Sequence, residues 1–189
     1  MEIRYFDIEG VFELVPRVFT DSRGQFLETY NRTSLLEQGI DLTFVQDNQS
    51  FSYRNVLRGL HFQYPPYEQG KLVRVISGKA FDVAVDIRPG SETYGRYVSC
   101  TLDGTISNMI YIPPGFAHGF VALTDVILFY KCTETYHREA ESGIAWNDPD
   151  LNIDWGIRNP VVSEKDIELP GFKALGDKFA KGNQSGKYF

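Results

Sequence analysis

Four side chains in this 189-residue chain are suited to moving protons: a histidine, a lysine, a tyrosine and an aspartate. His61 sits inside NVLRGLHFQ, a run that reads as a strand, and Lys71 opens the next such run, KLVRVIS. An imidazole titrates near pH ~6.5, convenient for a base, and an ammonium beside it would stabilise an oxyanion. Tyr130 alternates with Val126 and Leu128 in VILFYK, which points it inward with them. A phenol, with a pKa of about 10, is protonated at neutral pH and can act as a general acid. Asp166, in SEKD, could orient the imidazole as a carboxylate does in a base dyad. Together these groups suit enolisation at a carbon beside a carbonyl.

Each has a plainer reading. A lone histidine among apolar residues is commonly a core or surface group. A lysine at a strand start commonly faces solvent, and an inward tyrosine commonly just packs. Ser163 followed by Asp166 also fits the capping of a short helix. The setting of His61 favours chemistry. Strict alternation puts Gly59, His61 and Gln63 on one strand face without a large apolar residue, as in a strand lining a wet cavity. The same alternation sends Arg58 to the other face. Arg58 and His61 can serve one site only if a bulge or kink falls at Gly59.

The elements that must position these groups read as short strands. VFELVPRVF is a strand broken near Pro16. QFLETY, TFVQDNQSFS, NVLRGLHFQ, YVSCTL and SNMIYIP follow the same pattern. KLVRVIS and KAFDVAVDIR around Gly78 read as a hairpin, and the runs on either side of Thr124-Asp125 as another. In the strand after Gly78, Phe81, Val83, Val85 and Ile87 share one face, and Ala80, Asp82, Ala84 and Asp86 the other. Ser34 to Glu37 resembles a capping box, with Gly39 ending a helix of one to two turns. Many strands with little helix predict an all-β sandwich or barrel. Residues 1–175 read as a single domain. The polar stretch 176–189 reads as a loose tail.

Composition sets limits. Apolar residues make up 42% of the chain, enough for a core, and the net charge of −6 disfavours non-specific binding of nucleic acid. His61, His118 and His137 are widely spaced, with no HxH or HExxH, so no metal site is expected. There is no phosphate-binding glycine loop and no dinucleotide fingerprint. Cys100 and Cys132 read as free thiols in a reducing cytoplasm. No signal peptide and no membrane span are expected. Arg23, Arg58, Lys71, Arg74 and Lys165 are cations that a diphosphate could bring together.

FTDSRGQFLETY, FVQDNQSFS, NVLRGLHFQ, QGKLVRVISGKAFDVAVDIR, IPPGFAHGF, YKCTETY, ESGIAWNDPDLNIDW and VSEKD occur in that order. These blocks resemble the dTDP-4-dehydrorhamnose 3,5-epimerases from about residue 3 to about residue 172. The resemblance implies a metal-free, cupin-like jelly roll needing no cofactor, dimeric, in nucleotide-sugar and rhamnose biosynthesis. It implies His61 as base, Tyr130 as acid, Lys71 at the enolate and Asp166 paired with His61. It further implies substrate contacts from Arg23, Glu28, Gln46, Asn48, Arg58, His118, Glu141 and Lys165, with Tyr136 stacked on the thymine. The homodimer also follows from the resemblance, in which the N-terminal strands reach the partner's site. Phe62 stands where many members carry tyrosine.

The implied reaction converts dTDP-4-keto-6-deoxy-D-glucose to dTDP-4-keto-L-rhamnose. The rivals are an epimerase acting at one carbon of a related dTDP-4-keto sugar, and a non-catalytic sugar-nucleotide binding module on the same barrel.

Overall fold

Two antiparallel sheets face each other across a shared apolar layer in the computed structural model, which describes residues 1–175. The first strands are β1 (Glu2–Tyr5), β2 (Phe12–Val15), β3 (Val18–Asp21) and β4 (Gly24–Leu27), followed by helix α1 (Arg32–Leu36). Next come β5 (Gln46–Ser52), β6 (Leu57–Gln63), β7 (Lys71–Ser77), β8 (Lys79–Asp86) and β9 (Tyr97–Asp103). The remainder are β10 (Met109–Ile112), β11 (Phe116–Ala122), β12 (Val126–Cys132), β13 (Glu141–Gly143) and helix α2 (Glu164–Ile167). A 3-10 turn, Phe172–Leu175, closes the described chain.

One sheet runs β1-β2-β10-β7-β12-β5 and the other β13-β6-β11-β8-β9, while β3 and β4 pair only with each other. This is the all-β, cupin-like jelly roll expected from the sequence, with few helical residues.

The alternation read from the sequence decides which faces meet. Val73 and Val75 of β7 pack against Ala80 and Ala84 of β8, Phe116 and Phe120 of β11, and Val126 and Leu128 of β12. The other face of β8, with Phe81, Val83 and Val85, is covered by Leu60, Ile144, Leu151 and Trp155. The apolar layer fills one end of the space between the sheets. Toward the other end the inward positions become polar: Gln46 and Asn48 on β5, Lys71 on β7, and Tyr130 on β12.

Neither expected hairpin forms. β7 pairs with β10 and β12, whereas β8 pairs with β9 and β11; likewise β11 and β12 belong to different sheets. Gly78 and Thr124-Asp125 are therefore corners where the chain crosses from one sheet to the other. Alternation shows that one face of each strand is buried, and two facing sheets satisfy that as well as one sheet does. The corners hold each other. The Lys79 N–H donates to Thr124 Oγ1 at 2.9 Å, and a Cβ on Gly78 (φ +86°) would overlap the Asp125 carbonyl.

Two smaller differences concern the N-terminal part. The cap of α1 is Asn31, whose side chain accepts from the Ser34 N–H, so the helix begins ahead of the expected capping box. Gly39 (φ +82°) stands just past its end, as expected. β1 was not read from the sequence. Its exposed residues pair with β2 at the sheet edge and lack a clean alternation. The segment 176–189, expected as a tail, lies outside the described residues.

Candidate active site

β6 is not a regular strand. Arg58 pairs with Phe120 of β11 and His61 pairs with His118, so β6 carries one extra residue between these pairs. This is the bulge that a shared site requires. It falls at Gly59, with φ +123°, a conformation open to glycine and costly for other residues. A Cβ there would stand 2.5 Å from Gly119 Cα. The bulge turns both Arg58 and His61 into the space between the sheets, because their partners Phe120 and His118 point there. Arg58 Nε donates to Ser52 Oγ at 2.9 Å, reaching across to β5.

The His61 imidazole is held from behind. Its Nε2 lies 2.7 Å from Asp166 Oδ1. Asp166 is buried, and its Oδ2 accepts from the Gly59 N–H at 3.2 Å. The Asp166 N–H donates to Ser163 Oγ, so Ser163 caps α2 while α2 delivers the carboxylate. The capping and dyad readings of this segment thus hold together. Burial alone would raise the Asp166 pKa. The hydrogen bond and charge of His61, with the Gly59 and Ser163 donors, outweigh it and hold the carboxyl below its usual range. An ionised carboxylate only accepts, so in the neutral imidazole the proton of His61 sits on Nε2 and Nδ1 keeps the free lone pair.

Across the gap stand groups from the other sheet. Burial raises the Tyr130 phenol; nearby Cys132 and Glu141 add to this, and the Arg58 guanidinium opposes it. Burial lowers the Lys71 ammonium, which Cys132, Asp82 and Glu141 partly offset. Lys71 stands opposite Cys132 of β12, one inward position from Tyr130, while Glu141 of β13 stands opposite Gln63 of β6, in the same sheet as Arg58 and His61.

His118 faces the same interior, with Nε2 2.8 Å from Oδ2 of the fully buried Asp82. Asp82 Oδ1 is buried without a hydrogen-bond partner. Asp82 shares its strand face with Ala80, Ala84 and Asp86, and alternation alone names no partner for it. A carboxylate at an inward strand position was the available signal, because it must find a partner.

The mouth of the site is polar. Gln46 Nε2 donates to Asn48 Oδ1 at 3.0 Å, and Gln46 Oε1 accepts from the Tyr136 N–H at 2.8 Å. The half-exposed Tyr136 donates its hydroxyl proton to Glu141 at 2.8 Å. Lys165 reaches the same carboxylate at 2.7 Å. The Glu141 hydrogen bond raises Tyr136, and Lys165 is raised by it in turn. An open cavity of about 380 Å³ on the His61 side is lined by Arg58, His61, Ser163, Lys165 and Asp166 together with Val56, Leu57, Val161 and Val162.

Two expected contact residues lie elsewhere in the chain. Arg23 projects from the β3–β4 turn, 88% exposed, and pairs with Asp21 at 2.6 Å. Glu28 follows β4 and accepts from Asn31. Among the described residues, no group of three or more His, Cys, Asp and Glu side chains is placed to hold a metal ion.

Fold and site together define a jelly-roll barrel with groups suited to proton transfer: an imidazole on one sheet braced by a carboxylate from α2, and a phenol and an ammonium on the other. Comparison with known proteins narrows this. The family model described as dTDP-4-dehydrorhamnose 3,5-epimerase matches residues 5–174. The dTDP-4-dehydrorhamnose 3,5-epimerase of Methanothermobacter thermautotrophicus is 52% identical over 163 residues, covering 84% of this chain and 88% of that protein. The dTDP-6-deoxy-D-glucose-3,5-epimerase of Legionella pneumophila, solved with dTDP-4-keto-L-rhamnose, superposes with a TM-score of 0.89 at 42% identity. That match covers 94% of this chain and 96% of that one. A 3'-monoepimerase of Streptomyces bikiniensis, solved with dTDP-quinovose, gives a TM-score of 0.86 at 31% identity, covering 91% of this chain and 88% of that one. The chain belongs to the dTDP-4-dehydrorhamnose 3,5-epimerase family.

Proposed function

We propose that this protein epimerises dTDP-4-keto-6-deoxy-D-glucose at C3 and C5, giving dTDP-4-keto-L-rhamnose. One observation supports the mechanism: His61 and Tyr130, read as base and acid, project from opposite sheets. Inversion requires proton loss from one face of a carbon and proton return on the other. His61, from β6, stands across the gap from Tyr130, on β12.

C3 and C5 both flank the C4 carbonyl, so both C–H bonds are acidified. Nδ1 of His61 takes the proton while Asp166 stabilises the imidazolium. The negative charge moves to O4, where Lys71 meets it as a fixed, desolvated cation. Tyr130 returns a proton to the opposite face of the carbon. Arg58 and Lys165 meet the diphosphate, and Tyr136 stacks on the thymine. Gln46, Asn48, His118 and Glu141 complete the contacts to the substrate.

The partner subunit completes the site. Arg23 and Glu28 pair locally with Asp21 and Asn31 and do not border the cavity beside His61, and the β3–β4 hairpin that bears Arg23 exposes Phe19 and Phe26 without pairing to either main sheet. In a homodimer this hairpin lies over the partner's cleft. The free thiols of Cys100 and Cys132 fit a cytoplasmic enzyme.

The test is incubation with dTDP-4-keto-6-deoxy-D-glucose in D2O, followed by NMR at C3 and C5. Deuterium and inversion at both carbons are expected. Inversion at C3 alone would assign the chain to the single-carbon reaction of the Streptomyces bikiniensis relative. Absence of exchange at both would refute the enzymatic reading for this sugar. Mixing His61→Ala with Arg23→Ala subunits should restore activity through hybrid dimers with one intact site; no recovery would refute the shared site.

A further inference from the structure

The loop that carries Tyr136 is sewn to the loop that follows the His61 strand. Gly70 and Thr133 exchange two hydrogen bonds, at 2.8 and 2.9 Å. Gln69 Nε2 donates to the Glu134 carbonyl at 2.8 Å, and the Tyr64 N–H to the Ala140 carbonyl at 2.9 Å. At the centre is Gln63, buried at 5% exposure. Its Nε2 donates to the Tyr67 carbonyl at 2.6 Å and to the Thr135 carbonyl at 3.1 Å. Its Oε1 accepts from the His137 N–H at 2.7 Å. Gln63 therefore grips the residues on both sides of Tyr136, while Gln46 from the opposite sheet grips the N–H of Tyr136 itself. The Tyr67 and His137 rings stack over this joint, 3.8 Å apart.

We infer that Gln63 is a positioning residue for nucleotide recognition, setting the place of the Tyr136 ring relative to the His61 imidazole. The inference rests on the reading of Tyr136 as the thymine-stacking residue. Gln63 follows His61 by two positions on the same strand face. One rigid stretch of β6 thus fixes the proton-abstracting group and, through the Gln63 amide, the ring that anchors the far end of the nucleotide. A side-chain amide suits this task, because it has donors and an acceptor on one planar group and all are used. Methionine at this position would keep the volume and remove the partner of the Tyr67 and Thr135 carbonyls and of the His137 N–H.

The effect should appear in binding of dTDP, which lacks the reacting sugar. Gln63→Met should weaken dTDP binding by calorimetry about tenfold and raise KM in step, with kcat at saturation within about threefold of the parent, as expected when uniform binding is lost. In a Tyr136→Ala background the same substitution should change dTDP affinity by less than about twofold, because the group it positions is gone. Gln63→Glu keeps the acceptor for the His137 N–H but sets a carboxylate against two carbonyls. It carries the same cycle should the methionine variant fail to fold, with thermal midpoints as the check.

Equal penalties in both backgrounds, or a fall in kcat with dTDP affinity unchanged, would overturn the assignment. Failure of the parent protein to bind dTDP would instead overturn the functional reading on which it rests.

Discussion

His61 Nε2 lies 2.7 Å from Asp166 Oδ1, and the other oxygen of that carboxylate accepts from the N–H of Gly59, two residues before the histidine. Asp166 therefore braces the His61 imidazole and the bulge that presents it. This fixes the proton of His61 on Nε2 and leaves Nδ1 as the basic nitrogen. Asp166→Asn keeps the shape and removes the charge that stabilises the imidazolium. It should lower kcat by about 10²-fold or more while dTDP binding, measured by calorimetry, stays within a few-fold. A rate near that of the parent would remove Asp166 from the dyad.

Tyr130→Phe separates the two halves of the reaction. The base can still remove a proton and return it, or a solvent deuteron, to the same face. Solvent deuterium should enter the substrate without inversion, and epimerisation should fall by about 10²- to 10⁴-fold. Loss of exchange together with inversion would show that the phenol is needed before the enolate forms.

The alkaline limb of kcat should belong to Lys71. Burial lowers its pKa below the ordinary lysine value of about 10.4, while burial raises Tyr130 above about 10. Raising the pH neutralises the ammonium proposed to meet O4, so activity should begin to fall below the ordinary lysine range. Lys71→Met should cost about 10²- to 10³-fold in kcat and abolish that limb. A limb unchanged in the variant would reassign it.

Gly59→Ala tests the bulge. The added carbon would stand 2.5 Å from Gly119 Cα and 2.8 Å from the His118 carbonyl oxygen, at a φ of +123°. A loss of about 2–4 kcal/mol is expected from the steric and backbone strain, read as a lower midpoint in denaturant. An unchanged midpoint would mean that β6 can present Arg58 and His61 without this conformation.

Asp86 tests the scaffold. It is fully buried and accepts from the Arg88 N–H and guanidinium, Ser91 Oγ and Thr93 Oγ1, tying the β8–β9 loop. Burial alone would raise its carboxyl, yet these donors hold it below the usual range. Its stabilising contribution is therefore full above the unfolded value of about 3.9 and lost as pH falls through the native one. Asp86→Ala should cost about 3–5 kcal/mol at pH 7 by leaving the Arg88 charge without its partner. The gap from the parent should narrow below pH ~4 in denaturant titrations. A gap independent of pH would show that packing, and not the charge, sets the loss.

Strand content, the two faces of β8, the inward face of β12 with Tyr130, and a family resemblance running along nearly the whole chain were all legible in the sequence. It also showed that Arg58 and His61 need a break at Gly59 to share a site. These are local properties, because each strand writes its buried face into every second residue.

Only the tertiary structure decided which strands are neighbours. KLVRVIS and KAFDVAVDIR look like a hairpin because each has one apolar face, and alternation is the same for two strands in one sheet as for two strands on opposite sheets. Placing them in opposite sheets sets His61 across from Lys71 and Tyr130, and gives Asp82 and Gln63 partners that no local pattern could name. The proposed chemistry draws its groups from both sheets, and their meeting is a long-range packing outcome.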